Sequence, residues 1–245
     1  MKEFVRTLKQ TLQVHGKADI FSYIAVLTGG GIFGILIVFC VMIFAGEGEG
    51  YAKIGAVLAL VFGIILLFFG GIFSVQGEFN VAISMGKTRK YFVPARYLGQ
   101  VLNVLVMLAV VMLINWLEGF VYSAVYPQAV CEFDIDPLLH NVGALMGIIF
   151  GAPALVLLFG ALLMRFSAQF FWVFWALWMV LFVGGPRIMN AVSKNPDSVP
   201  ARIGLKILDF AGGISPVQLA VTLILLAAVM MAVTVGLFRK QRVTS

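Results

Sequence analysis

Six long apolar runs dominate the chain, at about 20–45, 52–75, 97–119, 141–164, 168–186 and 216–238. A helix that crosses a bilayer needs roughly 20 mostly apolar residues, and each run meets or approaches that length. Charges, prolines or glycine clusters bound every run. Composition closes the alternatives. Of 245 residues, 62% are hydrophobic and 11% charged, and mean hydropathy is +1.05. So little polar surface cannot cover a water-soluble core. The expectation is an all-α polytopic membrane protein with about six transmembrane helices. It is a single six-helix domain over 20–245, preceded by an amphipathic interfacial helix over 1–19. Two cysteines, Cys40 and Cys131, make neither a disulfide framework nor a zinc site. The first run follows an amphipathic start and lacks a small-residue cleavage pattern, so it reads as a retained helix.

Charge sets the orientation. Basic residues mark cytoplasmic loops. Lys2, Arg6, Lys9, Lys17, Lys87, Arg89, Lys90, Arg96, Arg165, Arg239, Lys240 and Arg242 fall on one side of a six-span topology. Only Lys53, Arg187, Lys194, Arg202 and Lys206 fall on the other, together with eight of the 11 acids. Both termini are therefore expected inside. The net charge of +6 is topological in this reading and implies no nucleic acid partner.

The spans are notable for what they omit. None carries Asp, Glu, Lys, Arg or His at mid-depth; Glu118 and Lys53 sit near ends. Ion-coupled pumps rely on intramembrane ionisable groups, and enzymes need a nucleophile, a base or metal ligands. The histidines, His15 and His140, lie outside the runs. Gly86-Lys87-Thr88 imitates the end of a phosphate-binding loop, but Val81 stands where that loop needs glycine.

Two cytoplasmic segments stand out: the start reads as a membrane-surface anchor or as an elbow helix that also touches a partner, and the 76–96 loop has two readings of its own. At the start, Phe4, Val5, Leu8 and Leu12 share one helical face and Lys2, Arg6 and Lys9 the other, which suits a lipid–water interface. In the 76–96 loop, Glu78 to Met85 can form two helical turns, with Phe79 and Ile83 one turn apart. Gly86 can end that helix, Thr88 can cap the next, and Pro94 bends the entry to the third span. Two readings stand: an ordinary basic inner loop, or a docking element.

The chain resembles ABC-2 type permease subunits, the membrane halves of bacterial ATP-driven exporters. The amphipathic start, the six spans, the Glu78–Arg96 pattern and Ile214-Ser215-Pro216 before the last span carry the resemblance. It implies an elbow helix at the N-terminus and a short coupling helix that docks on a separate cytoplasmic ABC ATPase. Glu78, Phe79, Ile83, Met85, Lys87 and Arg89 would be the docking contacts. It further implies a homodimer or heterodimer in the bacterial plasma membrane, and no cofactor in this chain, with ATP and Mg held by the partner. The permease itself would not be an enzyme.

Outside, the 184–215 loop can form a short amphipathic helix between Ala201 and Phe210, as such permeases often carry before the sixth span. Gly143, Gly147 and Gly151 in the fourth span recur every four residues, a spacing that lets helices approach within or between subunits. In the fifth span Phe171, Trp175, Trp178 and Phe182 form a stripe. That stripe is either lipid-facing and packing surface or a wall for an apolar substrate. An uncharged aromatic pathway suits a hydrophobic or amphipathic peptide or antimicrobial, or a lipid or drug; related permeases also move polysaccharides. A membrane-embedded enzyme and a non-transporting scaffold are the competing classes.

Overall fold

The computed structural model describes residues 17–45, 50–84, 89–125, 130–166, 168–184, 213 and 215–240. The amphipathic start, Met85, Lys87 and the outer helix expected at 201–210 lie outside the described residues, as do the side chains of Arg89 and Phe182.

The described chain is helical throughout, apart from one small sheet. Helix α1 is Lys17–Ala45, and α2 runs from Ile54 to Ser84 through a π turn at Leu66–Gly70. Helix α3 is Arg89–Val125, and a single turn α4 follows at Asp136–Leu139. Helix α5 runs from Val142 to Phe166 through a π turn at Gly147–Gly151. Helix α6 is Ala168–Met179, continued by a π turn at Val180–Gly184, and α7 is Pro216–Lys240. Five of these are long and apolar enough to cross a membrane: Ile20–Val41, Ile54–Ser84, Phe92–Val125, Val142–Phe166 and Pro216–Arg239. The chain is thus an all-α polytopic membrane protein. Described α6, at about 26 Å, is shorter than a typical hydrocarbon core of about 30 Å.

Local chemistry accounts for the helix ends. Asn141 caps α5 by accepting from the Ala144 N–H at 3.1 Å. Ser215 and Gln218 form a reciprocal capping box at α7, with Pro216 in the first turn where its missing N–H costs nothing. The π turn in α5 ends two residues before Pro153, whose ring would otherwise meet a carbonyl one turn back.

Two sequence expectations change here. The segment from Glu78 onward is not a separate helix, because α2 continues unbroken to Ser84. Gly77 sits on an exposed face, where no packing demands a break. Likewise α3 begins at Arg89, with Pro94 inside it, so Arg96 belongs to a helix rather than a loop. A short parallel pairing of β1 (Gly50–Ala52) with β2 (Val130–Phe133) was not expected either.

The bundle has an acidic end and a basic end. Glu118, Asp134 and Asp136 gather near the start of α2 at one, and Arg96, Arg165 and Arg239 lie toward the other. The central core joins Leu27, Ala59, Leu67, Val104, Met107, Val111 and Val156 from α1, α2, α3 and α5. Helices α1 and α2 touch backbone to backbone near the acidic end. A Cβ on Gly34 would stand 2.5 Å from the Gly55 Cα. Helix α7 closes on α5, where a Cβ on Gly143 would meet the Pro216 carbonyl at 2.6 Å and one on Gly147 would strike Leu223. Gly151, the third of that series, has open space.

Candidate functional site

Polar side chains concentrate at the two ends of α3. Arg96, Gln100 and Asn103 near one end, and Asn115 and Glu118 near the other, are all buried and spaced three or four residues apart within each group, on the same side of α3 as Val104, Met107 and Val111. A lipid-embedded helix turns its polar residues inward because hydrocarbon cannot satisfy them.

At the acidic end, Glu118 reaches the start of α2. Its Oε1 accepts from the Gly55 N–H at 3.0 Å and its Oε2 from the Ala56 N–H at 2.8 Å. Those donors have no partner within their own helix, and the helix dipole favours an anion there. The Tyr122 hydroxyl donates to Oε1 at 3.1 Å. Lys53, the residue before α2, donates from Nζ to Asp134 Oδ2 at 2.5 Å and to Asp136 Oδ2 at 3.3 Å. Asn115 Nδ2 donates to Asp136 Oδ1 at 2.6 Å. Burial alone pushes the Lys53 ammonium down. Hydrogen bonds and charges from both aspartates outweigh it, so the pKa lies above the ordinary lysine value. Asp136 is held below the usual carboxylate range, first by hydrogen bonding with Asp134, and then by Asn115 and Lys53 against the opposing effect of burial. The network clasps β1, β2 and α4 to α2 and α3. Beside it lies a cavity of about 490 Å³ bordered by Asn115, Trp116, Phe120, Asp136 and His140.

At the basic end, Arg96 pairs with Glu78 at 2.7 Å, the two side chains being 4% and 9% exposed. Arg96 also donates to the Ser74 hydroxyl at 2.8 Å. One turn further along, Phe79 packs between Phe92 and Phe238, with ring centroids 5.4 and 5.1 Å away. The pair and the three rings lock the ends of α2, α3 and α7 into one unit. A second cavity, of about 160 Å³, opens beside them between α1, α2 and α3.

Of the docking residues expected from sequence, Glu78 is turned inward to Arg96, Phe79 is fully buried and Ile83 packs partly against the same core. The exposed face of this stretch is instead Gln76, Gly77, Val81 and Ser84. In α6, Phe171, Trp175 and Trp178 are 37%, 47% and 37% exposed, so this stripe faces outward. Phe170 and Phe174 face inward, onto Phe159 at 5.8 and 5.2 Å. Sequence reading missed Arg96, Gln100 and Glu118 as a connected set. The available signal was their spacing along α3, which coincides with the buried apolar stripe. Among the described residues no three His, Cys, Asp or Glu side chains come together as metal ligands. No family model matches the chain, and neither do the curated proteins or the solved structures.

Proposed function

We propose that this chain is the membrane-spanning permease subunit of a bacterial ATP-driven exporter, coupled to a separate cytoplasmic ATPase that binds ATP and Mg. In this reading α6 completes a six-span bundle in the plasma membrane, both termini are cytoplasmic, and two permeases pair around the pathway. The observation that carries it is the overhang of α2 and α3 at the basic end. With 31 residues, the apolar helix Ile54–Ser84 is about 46 Å long, some 16 Å more than the hydrocarbon core of about 30 Å. Its projecting part is stiffened by the Glu78–Arg96 pair and by the Phe79, Phe92 and Phe238 rings. Beyond it comes the basic run Lys87-Thr88-Arg89-Lys90.

A stiff rod joined to the core of the bundle transmits force, whereas a slack loop absorbs it. Phe79 then acts inside the rod, and the partner meets Val81, Ser84 and the basic tip. The substrate class that suits the aromatic, uncharged spans is a hydrophobic or amphipathic peptide or antimicrobial. Co-purification with the host's Walker-motif ATPases tests the reading. Wild type is expected to retain one such ATPase, and Lys87→Glu with Arg89→Glu to lose most of it while still inserting in the membrane. Failure of every such ATPase to co-purify with wild type would sink the proposal.

A further inference from the structure

The cavity at the acidic end, at about 490 Å³, has the size of a small-molecule site, and its walls are of two kinds. One wall is aromatic. Trp116 and Phe120 stack with their rings 18° from parallel and 6.1 Å apart, and they are 64% and 62% exposed. The other wall is α4, which presents Asp136 and His140. The Asp136 side chain is 41% exposed, so a ligand in the cavity reaches it.

The polar groups of these walls accept rather than donate. Each Asp136 oxygen takes one donor, from Asn115 or Lys53, and a carboxylate has room for more. His140 Nδ1 lies 2.8 Å from the Asp136 carbonyl oxygen. A carbonyl only accepts, so Nδ1 carries the proton and Nε2 of the neutral ring is left as an acceptor. The Ser123 hydroxyl donates to the Phe120 carbonyl at 3.0 Å, which leaves its oxygen to accept. Lys53 and Asn115 are turned onto the aspartates. The indole N–H of Trp116 is the remaining side-chain donor on the wall. Around it stand one ammonium, Lys53, and three carboxylates, Glu118, Asp134 and Asp136.

Depth gives the cavity a polar mouth and an apolar foot. The apolar spans of α2 and α5 start at Ile54 and Val142, and Glu118 bonds the first turn of α2. Lys53, Glu118 and His140 therefore mark the polar edge of the hydrocarbon. Along α3, Phe120 stands about 3 Å outward of Glu118 and Ser123 about 8 Å, while Trp116 lies about 3 Å inward and Met112 about 9 Å.

We propose that this cavity binds an amphiphile with a primary ammonium head. The head donates to the Asp136 carboxylate and His140 Nε2 and lies against the rings of Trp116 and Phe120, whose faces attract a cation. The alkyl chain runs inward along α3 past Met112. A carboxylate head meets the surplus negative charge with repulsion. Phosphatidylethanolamine brings an ammonium too, but its phosphate would stand among acceptors. Binding is read on the purified chain, so the proposal stands or falls without the coupled ATPase.

Changing Trp172, Trp175 and Trp178 to Phe leaves Trp116 as the sole tryptophan of the full chain. Its fluorescence in dodecyl maltoside is followed as octylammonium, octanoate or dihexanoyl phosphatidylethanolamine is added. Octylammonium is expected to give a saturable change, with a Kd at least tenfold below that of the other two. Phe120→Ala, at an exposed position, is expected to weaken it about tenfold, and Asp136→Asn at least as much. Should Asp136→Asn fail to fold, Phe120→Ala and the octanoate comparison decide. The proposal is overturned if the change with octylammonium never saturates, which is partition into the micelle only. It is equally overturned if octanoate or the phospholipid binds as tightly as octylammonium, or if Phe120→Ala leaves the affinity unchanged.

Discussion

Arg96 shows what a single side chain decides in this protein. Sequence places it among loop bases, because Lys87, Arg89 and Lys90 precede it. Only the fold brings Glu78 within 2.7 Å. Removing one partner of a buried pair strands the other charge, at a cost of about 3–5 kcal/mol, whereas replacing both with apolar residues is often close to neutral. Arg96→Leu is therefore expected to lower thermal stability in detergent sharply, and Glu78→Leu combined with Arg96→Leu to restore much of it. A double variant no more stable than Arg96→Leu would remove the pair from this role. Glu118 behaves differently, because it serves two backbone donors and the Tyr122 hydroxyl. A Glu118→Gln amide turns a donor toward one of those donors. The expected loss is about 1–3 kcal/mol, read as a lower unfolding midpoint.

At the level of elements, packing between spans rests on where glycine brings backbones close. Gly34→Val has no room, since the Gly55 Cα stands in the way, and overpacking of this kind costs about 1–3 kcal/mol. Gly151→Ala meets open space and is expected to leave the unfolding midpoint unchanged. Gly34 and Gly151 look equivalent in sequence, because spacing alone does not reveal which glycine faces a neighbour.

The acidic clasp makes a pH prediction. The lowered pKa of Asp136 means that its contribution is present above the ordinary carboxylate value of about 4 and lost as pH falls through the lower folded value. The raised pKa of Lys53 means that its contribution is present below about 10.4 and lost as pH rises through the higher folded value. Hydrogen exchange of β1 and β2, corrected for intrinsic rates, is expected to stay slow between those limits and to quicken beyond each. Flat protection through pH 3 would exclude the aspartate from the clasp.

Five of the six expected spans were legible because lipid imposes one rule on every residue facing it, and apolar runs record that rule directly. Their ends were not. Whether Glu78 and Arg96 lie in water or in a bundle depends on a partner 18 positions away, and no local pattern reports that. The β1–β2 pairing hangs on the same kind of distant meeting, since Tyr51 lies opposite Cys131. The polar stripe of α3 was readable in principle, because its three- and four-residue steps are a helical signal that survives among apolar neighbours.

For the whole molecule, the outer surface is apolar along its length, from Phe21 and Ile32 through Leu113 and Trp172 to Val217 and Val229. Such a belt suits lipid and no aqueous surface. The two ends differ in charge and in build, with a clasp of paired side chains at one and the braced hairpin of α2 and α3 at the other. Energy supplied by a cytoplasmic ATPase can enter through that hairpin only if the basic end faces the cytoplasm. Side-specific labelling tests this most directly. With Cys40 and Cys131 changed to Ser, single cysteines at Ser84 and Ser123, exposed at the basic and acidic ends, are treated with a membrane-impermeant maleimide. Ser123→Cys is expected to react in intact cells, and Ser84→Cys only in inside-out vesicles. Reaction of Ser84→Cys from outside intact cells would contradict the coupling proposed for this protein.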